Sequence, residues 1–313
     1  MASLTFIFSG LGSQWTNMCE ELLNKDDAFT KAFREFDKIF RSFSGYSLEN
    51  QLSFSPDLAQ ASFWHPAIMA VEYALFQKIS PKIQKPSLIL PQSGGENMAA
   101  LLFGVYSLSE GIRLIYEETH LMGKLPPGRL LLLAGPQKLS LQFASQYGLQ
   151  LAGINSPSSI VVGGPPGLIE ELLLMPDLPI TLKLLPSDFS FHTPALDPYL
   201  AYFYERIKDL KPSSSLYPII SSVEARVLPG QSFDASYFSR MISRPFYFEK
   251  AATLAMELGA RTFVDFSPHP VLQFSLNEIA QHLGYEVRIY PLMEKNTPYR
   301  VLWKELEKGL AKL

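Results

Sequence analysis

Along this chain, short apolar runs alternate with longer stretches in which apolar residues recur every three or four positions. The run at 4–8 predicts a buried strand, closed by Ser9-Gly10-Leu11-Gly12-Ser13-Gln14. Trp15, Met18, Leu22 and Leu23 follow at helical spacing, and helical patterns recur over 27–43 and 66–79. A second apolar run, 87–90, leads into Pro91-Gln92-Ser93-Gly94-Gly95-Glu96. Helical spacing resumes over 97–103 and 108–122, where Gly123 and Pro126-Pro127 should end it. Strand, tight glycine-containing turn and helix thus occur twice in the first third. That is α/β organisation.

Residues 128–187 read differently. Strand patterns at 130–134, 149–154, 160–162 and 180–185 surround helical ones at 136–147 and 168–174. The order β-α-β-β-α-β is that of a ferredoxin-like unit. Beyond it, 195–210 is helical, 219–222 and 262–266 look like buried strands, and 248–258 is a helix between them. The expected architecture is an α/β core with a mainly parallel sheet, built from 1–127 and 188–313, into which 128–187 is inserted as a small subdomain.

Composition narrows the function classes. A chain of 313 residues that is 47% hydrophobic can bury one large core with a satellite. The net charge of −3 and the absence of a basic stripe argue against nucleic acid as a partner. The single cysteine, Cys19, cannot form an internal disulfide, and no Cys/His spacing suggests a metal. The N-terminus lacks a positive n-region, and no apolar run reaches the ~20 residues needed to cross a bilayer. No membrane association and a cytoplasmic location are expected.

Ser93 is the most informative residue. A serine between strand and helix, flanked by glycine, can be thrust out on a sharp turn with its hydroxyl exposed. The helix that starts there points N–H groups at a developing oxyanion. A serine beside glycines is also an ordinary tight turn, so the segment alone leaves both readings open.

The wider set of motifs resembles the malonyl-CoA:acyl-carrier-protein transacylases and the acyltransferase domains of polyketide and fatty-acid synthases. The family's G-Q-G-S-Q-like loop is matched by Gly10-Leu11-Gly12-Ser13-Gln14, and its G-H-S-x-G-E elbow by Pro91-Gln92-Ser93-Gly94-Gly95-Glu96. Its F-H-S/T segment is Phe191-His192-Thr193, and its N-x-P strand entry is Asn155-Ser156-Pro157. Its P-H-P-V-L segment is Pro268-His269-Pro270-Val271-Leu272. The resemblance implies an α/β-hydrolase-like core, Ser93 as nucleophile and His192 as its base. It also implies an oxyanion hole from the N–H groups of Leu11 and Gly94, and a histidine oriented by the Met241 carbonyl. No cofactor is implied. The phosphopantetheine thioester of CoA or of an acyl carrier protein would be the substrate, the carrier protein the partner, and a monomer the working state. Arg240 and Arg244 are candidates to meet an acidic carrier.

Of the remaining histidines, His120 and His282 sit on helical patterns, and His269, between prolines, reads as structural. His65 occupies a position where the family has a pocket-lining glutamine.

The acyl pocket departs from the family. Malonyl-type members carry an arginine that pairs with the substrate carboxylate. Alignment through Arg113-Leu114 and Leu121-Met122 puts Glu118 there, where a carboxylate would repel malonyl. An amino- or guanidino-bearing acyl group could pair with it; the alternative is an acid that is protonated or satisfied by Tyr116 or Thr119. Leu11, His65 and Gln92 change too, while Asn155 and Phe191 keep to pattern. The expected protein is a discrete, trans-acting acyltransferase for an unusual non-malonyl acyl unit. The rival readings are an acyl hydrolase acting on carrier proteins, an ordinary malonyl transacylase, and an inactive carrier-binding module.

Overall fold

The computed structural model describes residues 3–52 and 57–311. Its strands, in chain order, are β1 Ser3–Phe8, β2 Leu88–Pro91, β3 Arg129–Ala134, β4 Gln150–Ser156, β5 Ser159–Gly164 and β6 Thr181–Leu184. They continue with β7 Ile219–Ser221, β8 Arg226–Leu228, β9 Phe246–Tyr247, β10 Ala260–Asp265 and β11 Arg288–Pro291.

The larger sheet has the order β11-β10-β1-β2-β7-β8. All its pairings are parallel except the edge pair β7–β8. Parallel strands covered on both faces read as continuous apolar runs, and every residue of β2 is buried. Phe8 stacks on Phe266 with ring centroids 5.1 Å apart; Phe6 and Phe103 close edge-on around them, and Phe76 meets both at a tilt. This aromatic layer seats helix Ala61–Ile79 against the sheet. That helix is buried along nearly its whole length, which is why its apolar residues form no stripe.

The smaller sheet has the order β6-β3-β5-β4-β9. Its first four strands pair antiparallel, and helices Gln137–Gln146 and Pro166–Leu173 connect them in β-α-β-β-α-β order. The ferredoxin-like pattern is therefore present. A fifth strand, β9, comes from outside 128–187 and pairs parallel with β4 through Gly153 and Ile154. A Cβ at Gly153 would stand 2.2 Å from the Phe246 ring, so glycine is what lets β9 approach.

Three local expectations are corrected. Helical spacing from Trp15 yields only the short helix Glu20–Lys25, because Asn17 and Cys19 both take positive φ, 62° and 68°. Trp15 is instead tied to the far loop, its Nε1 donating to the Pro268 carbonyl at 3.1 Å. Pro66 does not begin its helix: the helix starts at Ala61 and carries Pro66 inside, at the cost of one backbone bond. Residues 195–210 divide into a 3₁₀ segment, Pro194–Tyr199, and helix Leu200–Ile207, with Pro198 at the tight part.

Candidate active site

The loops at the carboxyl ends of the parallel strands meet over β1 and β2, where open α/β sheets place their ligands. Ser93 lies between β2 and helix Gly95–Leu102 at φ 53°, a left-handed conformation that is costly for a non-glycine residue. Pro91 does not disturb this turn. It ends β2 opposite Phe8, and the Gln92 amide makes the next bond, to the Phe8 carbonyl at 2.9 Å. Gly95 is obligatory, since a Cβ there would fall 2.2 Å from the Phe8 oxygen.

A buried brace holds the strained serine. The Ser93 amide donates to Ser222 Oγ at 3.3 Å. Ser222 in turn gives both its hydroxyl and its amide to Glu96, at 2.7 and 2.8 Å. The Tyr237 hydroxyl donates to the other Glu96 oxygen. Burial pushes the Glu96 carboxyl up to about 7, against the Tyr237 and Ser222 donors that favour its anion.

The loop after β1 covers the elbow. Ser13 Oγ donates to the Gly10 carbonyl at 3.0 Å, and the Gly12 amide donates to Gln14 at 2.6 Å. A Cβ on Gly10 would reach within 2.9 Å of the Gly94 nitrogen and 3.7 Å of Ser93 Oγ. Gly10 therefore leaves open the space in front of the Gly94 amide. Neither the Leu11 nor the Gly94 N–H donates to an acceptor among the described residues. Two free main-chain donors beside a serine hydroxyl can stabilise an oxyanion.

His192 faces this point from the loop before Pro194–Tyr199. Its amide donates to the Ile242 carbonyl at 2.7 Å, and its Nδ1 lies 2.9 Å from the Met241 carbonyl and 3.1 Å from that of Arg244. A carbonyl only accepts, so Nδ1 carries the proton and Nε2 presents its lone pair. Ser93 Oγ stands 2.7 Å from Nε2. Burial pulls the imidazole down to about 4, more than the Arg244 and Met241 carbonyls raise it. At neutral pH the ring is a neutral acceptor for the serine proton.

Ser93 and His192 open onto a cavity of about 350 Å3. Leu11, His65, Gln92, Gly94, Glu118, Asn155, Phe191 and Met241 all line it. Gln92 Nε2 donates to Asn155 Oδ1 at 2.8 Å, fixing both side chains. Glu118, only 5% exposed, projects inward from helix Leu108–Met122. On the same helix Glu117 pairs with Arg206, and Arg113 with Asp209, facing away from the cavity. Glu118 Oε2 accepts from Asn97 Nδ2 at 2.5 Å and lies 3.6 Å from His65 Nε2. Burial lowers the His65 pKa, with Glu118 opposing, and its Nε2 has no hydrogen-bond partner. Among the described residues lining the cavity there is no arginine.

The structure thus brings the predicted catalytic, oxyanion and acyl-pocket residues to one cavity, while Arg240 and Arg244 do not line it. Several neighbours escaped sequence reasoning: Ser222, Asn97, the Arg244 carbonyl, and Lys183 at the rim. Of these, only Arg244 is a candidate from sequence, and for its charge. His269, read as structural, also lines the cavity. Among the described residues no cluster suits a metal ion, and no helix is long and apolar enough to cross a membrane.

Comparison with known proteins places this geometry. The chain is 28% identical over 295 residues to the mycocerosic acid synthase-like polyketide synthase of Mycolicibacterium smegmatis, covering 93% of this chain and 14% of that one. It thus spans about a seventh of that relative's length. Among solved structures it is similar to a loading acyltransferase from the avermectin modular polyketide synthase, with 28% identity and a TM-score of 0.88. That match covers 98% of this chain and 99% of the other. The fold is shared with a malonyl-transacylase solved in complex with its type II polyketide synthase acyl-carrier protein. There the TM-score is 0.81 at 17% identity, covering 98% and 100% of the two chains. The acyl transferase domain family matches residues 5–311, essentially the whole described chain, and to that family the protein belongs.

Proposed function

We propose that this acyltransferase moves a non-malonyl acyl group from a CoA or carrier-protein thioester to an acyl carrier protein, through an ester on Ser93. Ser93 Oγ attacks the thioester carbonyl carbon while His192 Nε2 takes its proton. The carbonyl oxygen becomes an oxyanion held by the Leu11 and Gly94 amides. The C–S bond breaks, and the departing thiolate takes the proton from His192. An incoming phosphopantetheine thiol then attacks the ester carbonyl and gives its proton to His192. Ser93 Oγ leaves and recovers that proton. No resident cofactor takes part: the serine proton leaves on the departing thiol, the incoming thiol's proton restores Ser93, and His192 ends neutral as it began.

The observation that carries the substrate assignment is Glu118. A carboxylate on the cavity wall repels a malonyl carboxylate and gives it no cation to bind. Intact-protein mass spectrometry after incubation with malonyl, acetyl and longer acyl thioesters tests the reading, with Ser93→Ala as control. The expected result is a Ser93-dependent adduct from non-carboxylated thioesters and none from malonyl. A malonyl adduct in the wild type would restore an ordinary malonyl transacylase. Release of free acid at the same rate with and without an acceptor carrier would make the protein a hydrolase. Failure of Ser93 to take any acyl group would leave only a binding module.

A further inference from the structure

The wall around Glu118 has more acceptors than donors. Asn97 Nδ2 is the one donor that the described residues give the carboxylate. Asn97 Oδ1 and His65 Nε2 are both buried without a partner. The 3.6 Å between His65 Nε2 and Glu118 is too long for a hydrogen bond, and burial keeps that ring toward its neutral form. Arg113 of the same helix is paired with Asp209, and Arg206 of helix Leu200–Ile207 is paired with Glu117. Lys183 lines the cavity but is exposed at its rim. A buried carboxylate without a cation is costly, and a cation entering the cavity would supply the missing charge.

Building on the function proposed above, we infer that the accepted acyl group ends in a cation, a protonated amine or guanidinium, held by Glu118. Its N–H groups supply the donors this wall lacks. Glu118 takes the charge on the cavity wall. An uncharged acyl chain of the same length would fill the same space and leave the carboxylate uncompensated.

Matched thioesters of N-acetylcysteamine isolate this interaction. The 3-aminopropionyl form is compared with butyryl and malonyl, and the 6-aminohexanoyl form with heptanoyl. Initial rates of Ser93 acylation are read by intact-protein mass spectrometry. In at least one pair the cationic member should react about tenfold faster or more, the scale of one hydrogen bond to a charged group. In a Glu118→Gln protein that still labels with a fluorophosphonate, that ratio should fall toward one. Equal rates within both wild-type pairs, or a preference that survives Glu118→Gln, would overturn the inference while leaving the non-malonyl acyltransferase intact. A wild type acylated only by malonyl, or by nothing in a Ser93-dependent way, would remove both.

Discussion

The Nδ1 of His192 hydrogen-bonds a main-chain oxygen, that of Met241, at 2.9 Å, rather than a carboxylate. The Arg244 carbonyl shares the proton at 3.1 Å, and the His192 amide is itself bonded to Ile242. The segment 241–244 therefore fixes the backbone, tautomer and ring direction of the base without the side chain of any residue in it.

Changing side chains in this segment should then cost little. Met241→Leu keeps the carbonyl and the apolar contact, so Ser93 labelling by a fluorophosphonate should stay within a few-fold of wild type. His192→Ala removes the base and should slow labelling by about 10²–10⁴-fold. A comparable loss in a folded Met241→Leu protein would show that the Met241 side chain, and not its oxygen, positions the ring.

The pH profile follows from the same burial. His192 must be neutral to accept the proton, and burial lowers its pKa from 6.5 to about 4. The acid limb of Ser93 labelling should lie near 4, with rates flat from pH 8 down through 6. Stability responds with the matching sign. Between 4 and 6.5 the unfolded chain binds the His192 proton more tightly than the folded one, so stability is lost as pH falls through that window. Glu96 acts oppositely. Its carboxyl is raised from 4.5 to about 7, so its contribution is present below 4.5 and lost as pH rises through 7. Urea unfolding of wild type and His192→Gln at pH 7 and pH 5 separates the two: the loss on acidification should be smaller in the variant.

Two glycines of the site do different jobs, and alanine should separate them. At Gly95 the added carbon meets the Phe8 carbonyl at 2.2 Å, between strand and helix, where neither can yield. Gly95→Ala should fail to fold or melt far below wild type. At Gly10 the added carbon meets the Gly94 nitrogen at 2.9 Å, between two loops rather than between strand and helix. Gly10→Ala should remain folded and lose about 10²–10³-fold in acylation, the scale of one oxyanion-hole donor. Normal acylation by Gly10→Ala would mean the oxyanion is held elsewhere.

These distinctions explain what the sequence disclosed. The elbow was legible because its chemistry and its backbone demand both fall within Gln92-Ser93-Gly94-Gly95. The alternation of strand and helix across 128–187 was legible because each element there is long enough to show its period. β9, with two residues, has no period to read, and its place is set by Gly153 on another strand. The elbow brace was hidden because Glu96 meets Ser222 and Tyr237 across 126 and 141 residues of chain. The Arg244 carbonyl was hidden for a different reason: every residue type supplies the same oxygen. The Trp15–Leu23 pattern misled because its apolar residues pack around a loop held to Pro268, not along a helix.

Glu118→Arg reverses the charge of the cavity wall. In Glu118→Arg the guanidinium would stand where the carboxylate now accepts from Asn97 at 2.5 Å. Asn97 Oδ1 is buried without a partner, so half a turn of the amide brings it to accept from the arginine. His65, drawn toward its neutral form by burial, adds no competing charge. The new cation can then form a bidentate pair with a free carboxylate on the acyl group. Malonyl acylation of Ser93 should rise by about 10–100-fold, the worth of a hydrogen-bonded charge, and 3-aminopropionyl acylation should fall. Intact-protein mass spectrometry on wild type and variant reads both directions at once. If a folded variant labels normally with a fluorophosphonate yet gains no malonyl adduct, Glu118 does not face the acyl terminus, and another part of the cavity sets the substrate.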